Sequence, residues 1–123
     1  MFSENKISSG KHMICDIKEI KNLELLSDSD GIKKILDNIC KKYNFTILNK
    51  VEHIFEPQGF TALYLLSESH ISIHTFPERE YFALDIYTCR EYEDNKEYIE
   101  IYEYLVKEFN AKVETPFIID RTF

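Results

Sequence analysis

Tryptophan is missing from this 123-residue sequence, and glycine, proline and cysteine occur only three times each. So little Gly and Pro leaves no flexible linker, and the chain reads as one domain over residues 1–123. Cys15, Cys40 and Cys89 are an odd number without a CxxC pair, which fits neither a disulfide framework nor a tetrahedral zinc cluster. Positive charge is also short: 15 Lys+Arg face 22 Asp+Glu for a formal net charge of -7. No basic run exceeds a pair, and such a balance repels phosphate backbones, so nucleic acid is not an expected partner. Apolar runs stop after a few residues, far below the roughly 20 that span a bilayer, and residues 1–11 have no apolar centre to act as a leader. The expectation is a cytoplasmic protein with no membrane partner, its polar first ten residues loose.

Hydrophobic periodicity is what the sequence does contain. Residues 11–20 alternate as a strand with Met13, Cys15 and Ile17 on one face. Ile32, Ile35, Leu36, Ile39, Cys40 and Tyr43 then follow helical spacing. Ser29 or Asp30 is placed to cap that helix, Lys41 and Lys42 suit its negative end, and Asn44 suits a left-handed stop. Residues 46–55 read as a strand with Ile47, Val51 and Phe55 on one face. Strands follow at 60–66, 70–76 and 81–89, separated by turns at 56–59 and 77–80. A second helix starts near 94–96 and carries Tyr98, Ile101, Tyr102, Leu105 and Phe109. It ends in Phe109-Asn110, echoing Tyr43-Asn44, and each helix precedes an extended segment, a hint of an internal strand–helix–strand repeat. The fold class is α/β of the α+β type: a two-layer sandwich with two helices on one face of a mainly antiparallel sheet.

Chemistry concentrates in residues 66–89, LSESHISIHTFPEREYFALDIYTC. His70, Ser72 and His74 alternate with Ile71 and Ile73 and so share a face. Asp85, Tyr87 and Cys89 share one on the next strand, and pairing of the two strands would gather a thiol, imidazoles and hydroxyls. Satisfied polar residues on a solvated sheet face are the bland reading. A metal site on His70, His74 and Cys89 fits poorly, because residues four apart on a strand lie about 13 Å apart. Spacing alone leaves a Cys–His nucleophilic pair open. His12, His53 and His70 read as structural.

The string Leu66 to Glu78, with Asp85-Ile86-Tyr87-Thr88-Cys89 after it, resembles the self-processing block of the small prokaryotic S-adenosylmethionine decarboxylases. His53-Ile54-Phe55-Glu56-Pro57-Gln58-Gly59-Phe60-Thr61 and Gly10-Lys11-His12 extend the resemblance over most of the chain. It implies a proenzyme cut between Glu68 and Ser69 into residues 1–68 and 69–123. Ser69 would attack the Glu68 carbonyl and end as a pyruvoyl group, the covalent cofactor that forms a Schiff base with the substrate. His74 is implied as proton acceptor in processing, Thr61 as its assistant and Cys89 as proton donor in decarboxylation. Phe55 and Phe76 would stack adenine and Glu78 would hold the ribose hydroxyls, with no metal required. The implied substrate is S-adenosylmethionine, whose product donates aminopropyl groups to spermidine. The implied assembly is a homodimer or higher even oligomer with sites at or near the subunit interface. Three positions depart from the family: Phe76 replaces the usual Trp, Thr61 the usual Ser and Arg90 the usual Gly. Arg90 would tune the Cys89 thiol or favour a nearby acidic group. The alternatives are a pyruvoyl-dependent decarboxylase of ornithine or arginine, and an uncleaved, non-catalytic ligand-binding sandwich.

Overall fold

Alternation decides which side of each strand is buried, and helical spacing supplies what covers it. The structure is a computed structural model that describes residues 8–92 and 94–122; residues 1–7 of the expected loose start lie outside it. Six strands, β1 (Ser8–Ile17), β2 (Ile47–Ile54), β3 (Phe60–Leu66), β4 (Ser69–Phe76), β5 (Tyr81–Thr88) and β6 (Phe117–Thr122), form one sheet in the order β2-β3-β4-β5-β1-β6. Every pairing is antiparallel. Met13, Tyr64, Ile71, Ile73, Phe82 and Ile86 turn one face inward. Over it lie α2 (Ser29–Lys42) and α3 (Lys96–Phe109), whose apolar stripes are buried in the same core. Each such side chain taken out of water is worth about 1.5–3 kcal/mol. A four-residue helix, α1 (Leu23–Leu26), joins the two expected from sequence.

The details differ where local chemistry overrides the pattern. Asp28, not Ser29 or Asp30, caps α2, its Oδ1 accepting from the Gly31 N–H at 3.0 Å. Ser8–Gly10 belong to β1 instead of a loose start, because Ser8 pairs with Thr122 of β6. A β-bulge between Ile47 and Asn49 shifts the register of β2, so Ile47 and Val51 fall on opposite faces. Below the bulge, β2 turns charge toward the helices, and Lys50 and Glu52 pair with Asp37 and Lys33 of α2 at 2.8 and 2.9 Å. The two strands that follow α2 and α3 are β2 and β6, the opposite edges of the sheet.

The other face of the sheet has no covering layer among the described residues. Register sets its contents in rows across the strands. One row runs Val51, Leu63, Ser72, Asp85, Ile14 and Phe117. The next runs Leu65, His70, Tyr87 and His12. Among the described residues no helix is long and apolar enough to cross a membrane.

Candidate active site

The strand pair β3–β4 reverses in a two-residue turn, Ser67-Glu68, closed by Leu66 opposite Ser69. Glu68 takes φ 71°, a left-handed conformation that costs a residue with a side chain of order 1–3 kcal/mol. The antiparallel partner β5 ends beside that turn, which brings the next residue, Cys89, onto it. Its Sγ lies 2.8 Å from the Glu68 carbonyl oxygen and 3.5 Å from the Tyr87 hydroxyl. A thiol at that distance donates to the carbonyl, drawing electrons from the carbon that an attacking oxygen would approach.

Neighbours hold Cys89 from several sides. Thr88 Oγ1 and the buried Tyr98 hydroxyl of α3 are 2.6 Å apart. Tyr87 donates to the Ser9 carbonyl. Gly10, at φ 94°, lets β1 close on this point, since a Cβ there would stand 1.8 Å from the Thr88 oxygen and 2.7 Å from Cys89 Cα. Among the described residues the Arg90 guanidinium pairs with no carboxylate, donating to the Tyr43 and Asn44 carbonyls instead. Beside the turn is a cavity of about 110 Å³ lined by Thr46, Ser67, Glu68, Ser69, Cys89 and Arg90. The other two thiols are buried, and burial pushes Cys15 up to about 12 and Cys40 up to about 11, so both stay protonated and inert.

A second group gathers at the far end of β4. Thr61 and His74 face each other across β3 and β4, with Thr61 Oγ1 3.0 Å from His74 Nδ1. They open into a cavity of about 340 Å³ whose walls include Phe55, Phe76 and Glu78, a size suited to a small ligand. His53 braces Phe55 edge-on at 4.5 Å between centroids, and Tyr81 stacks behind Phe76 at 5.4 Å. Gln58 and Gly59 also line this cavity. The sequence places them in a turn and in the strip that extends the resemblance but assigns them no binding role, although the turn's position between a strand ending in Phe55 and one starting at Phe60 is the available signal.

Ser69, Glu68 and Cys89 therefore stand together, and Thr61, His74, Phe55, Phe76 and Glu78 stand together. One chain does not join the two groups. Five residues of extended strand separate Ser69 from His74, about 16 Å at 3.3 Å per residue. Where the polar faces of β4 and β5 adjoin, His70 lies opposite Tyr87, whose hydroxyl is 3.5 Å from Cys89 Sγ, and His74 lies opposite Ala83.

Between the ends sits a third cluster. Asp85 accepts from Ser72, from His12 Nε2 at 2.6 Å and from His70 Nε2 at 3.0 Å. Burial alone would raise its carboxyl; the three hydrogen bonds outweigh burial and hold it below the usual carboxylate range. Arg121 Nη1 lies 3.3 Å from His12 Nδ1. A guanidinium only donates, so Nδ1 accepts and the His12 proton is assigned to Nε2, aimed at Asp85. His12, His70 and Asp85 bring their ligand atoms within 4.8 Å of one another, and in this structure hydrogen bonds to the carboxylate join them.

Comparison with known proteins adds a consistent identity. A family profile described as S-adenosylmethionine decarboxylase matches residues 11–122. The S-adenosylmethionine decarboxylase proenzyme of Methanococcus maripaludis is 45% identical over 83 residues, 68% of this chain and 67% of that one. The proenzyme of Prochlorococcus marinus is 42% identical over 80 residues, 65% and 63% of the two chains. The crystal structure of the adenosylmethionine decarboxylase from Aquifex aeolicus superposes with a TM-score of 0.80 at 26% identity, covering 95% of this chain and 93% of that one.

Proposed function

This chain belongs to the S-adenosylmethionine decarboxylase family, and from that premise we propose that it cuts itself between Glu68 and Ser69 and then removes CO₂ from S-adenosylmethionine. It is a carboxy-lyase. Family membership favours this substrate over ornithine or arginine, and favours an enzyme over a non-catalytic sandwich. The product is the aminopropyl donor for spermidine synthesis, and three unpaired cysteines suit a reducing cytoplasm.

Self-cleavage uses groups of the chain itself. The Ser69 hydroxyl attacks the Glu68 carbonyl carbon while the Cys89 thiol steadies the oxygen. The C–N bond breaks, the nitrogen takes the hydroxyl proton, and an ester joins Glu68 to Ser69 Oγ. A base removes the Ser69 Cα proton, and Glu68 leaves as a carboxylate. Tautomerisation and one water then release ammonia and leave a ketone at residue 69. The left-handed Glu68, the thiol on its carbonyl oxygen and the adjoining cavity fit residue 69 to this role. The pyruvoyl group so formed supplies a carbonyl that captures the substrate amine and takes up the electron pair freed by CO₂. Cys89 then returns a proton to the substrate α-carbon.

The base is His74, assisted by Thr61, and it must come from a second copy because its own chain holds it about 16 Å away. An isologous dimer meets this need when its two-fold axis crosses β4 at right angles near Ser72 on the uncovered face. Each Ser69 end then faces the partner's His74 end. Leu63, Leu65, Val51 and Phe117 on that face are 47%, 54%, 60% and 64% exposed in the single chain, an apolar surface that a second copy would bury. In the composite site Phe55 and Phe76 take the adenine and the sulfonium cation, and Glu78 takes the ribose hydroxyls. The net charge of -7 favours approach of a cationic substrate.

The observation that carries the proposal is the Cys89 thiol 2.8 Å from the Glu68 carbonyl oxygen. Intact mass spectrometry of active protein should find residues 1–68 and a fragment 69–123 that begins with a ketone, whereas Ser69→Ala stays whole. Active protein consisting only of the unbroken chain would overturn the reading, as would release of CO₂ from ornithine or arginine but not from S-adenosylmethionine.

A further inference from the structure

Arg90 follows the reactive thiol by one residue, and among the described residues its guanidinium engages backbone and ring, not a carboxylate. Nη1 and Nη2 donate to the Tyr43 and Asn44 carbonyls, and the group lies 4.8 Å over the Phe45 ring centroid. Those carbonyls end α2, where main-chain oxygens lack helical partners and a cation is favoured. The planar fork fits both oxygens and the ring at once, which a lysine cannot do. The same segment carries the other half of the site. Thr46 accepts from the Ser67 N–H at 2.9 Å, and Ser67 precedes Glu68. Residues 43–46 thus grip the thiol strand through Arg90 and the scissile turn through Ser67. Thr88, the residue before Cys89, is fixed by the buried Tyr98 hydroxyl.

We infer that Arg90 is a positioning residue for self-cleavage: by tying the end of β5 to residues 43–46 it keeps Cys89 Sγ on the Glu68 carbonyl oxygen. The inference rests on the self-cleavage reading for its consequence, but its geometry is testable without cleavage. In the uncut Ser69→Ala protein, iodoacetamide reports how firmly Cys89 is held, because Cys15 and Cys40 are 0% and 2% exposed and stay silent. Adding Arg90→Ala should speed alkylation of Cys89 about tenfold, and Arg90→Lys by less, since one ammonium replaces part of the grip. In the Ser69 chain, Arg90→Ala should lengthen the half-time of cleavage about tenfold, with partial rescue by Arg90→Lys, the scale expected of a group held loosely instead of lost. The KM of fully cut protein for S-adenosylmethionine should stay within about twofold, because Arg90 is not in the aromatic cavity. A merely structural role would lower the melting temperature and leave alkylation unchanged. Equal alkylation rates overturn the inference, and so do equal cleavage rates; if Arg90→Ala does not fold, Arg90→Lys decides alone. A parent chain that never cuts would sink the proposed function instead, leaving the alkylation result to judge Arg90.

Discussion

The two ends of β4 are built on different principles. At the Ser69 end, backbone contacts and buried hydroxyls fix a thiol and a left-handed residue around a cavity of about 110 Å³. At the His74 end, a loop and two braced aromatic rings enclose about 340 Å³. On the proposed function, the first makes and breaks a bond of its own chain and the second grips a flat, cationic molecule. A strand is stiff, so neither end can reach the other, and the spacing that separates them in one chain is the spacing that would join them in the proposed two-fold pair.

Breaking this comparison is the largest effect on offer. Ser69→Ala and His74→Ala chains should each be inactive alone. Produced together, they should form mixed dimers in which one site pairs an intact Ser69 with an intact His74, restoring about a quarter of normal activity for random pairing. No recovery would mean that each site is completed within one chain. The contrast is sharpened next by single changes at either end. Cys89→Ala should slow cutting and lower kcat of the cut protein about 100-fold, the scale of a lost proton donor. Phe76→Ala should leave cutting intact and raise KM about tenfold, the scale of a lost stacking and cation–π face. If both variants altered the same step, the division of labour would be wrong.

Most of the fold was legible because burial obeys period. The stripes Ile32–Cys40 and Tyr98–Phe109 and the alternation Phe82-Leu84-Ile86 lie where spacing predicts. What escaped depends on tertiary partners. The bulge after Ile47 needs the neighbouring register, and Asp28 outcompetes Ser29 through the Gly31 amide. The candidate residues were legible only as a set, since alternation says which side chains share a face but not how far along the strand they sit. Arg90 was unreadable in sequence terms, because its partners are carbonyls more than forty residues away, and any residue type offers a carbonyl.

Asp85 tests what lies between the two ends. Its carboxyl is held below the ordinary carboxylate value by Ser72, His12 and His70 against the cost of burial. A group whose pKa falls on folding stabilises the fold above its unfolded value, near 3.9, and that contribution fades as pH drops through the folded value. Asp85 is partly exposed, so screening keeps the effect small, about 1 kcal/mol. Asp85→Asn keeps the shape but weakens the acceptor for three donors. It should lower the melting temperature by a few degrees at pH 7, and the gap to the parent should close as melts are repeated toward pH 3. Such closure would mark the middle of β4 as an electrostatic brace independent of either end. A gap that stays constant from pH 7 to pH 3 would mean that the carboxylate's charge contributes nothing, and that packing alone holds the two ends in register.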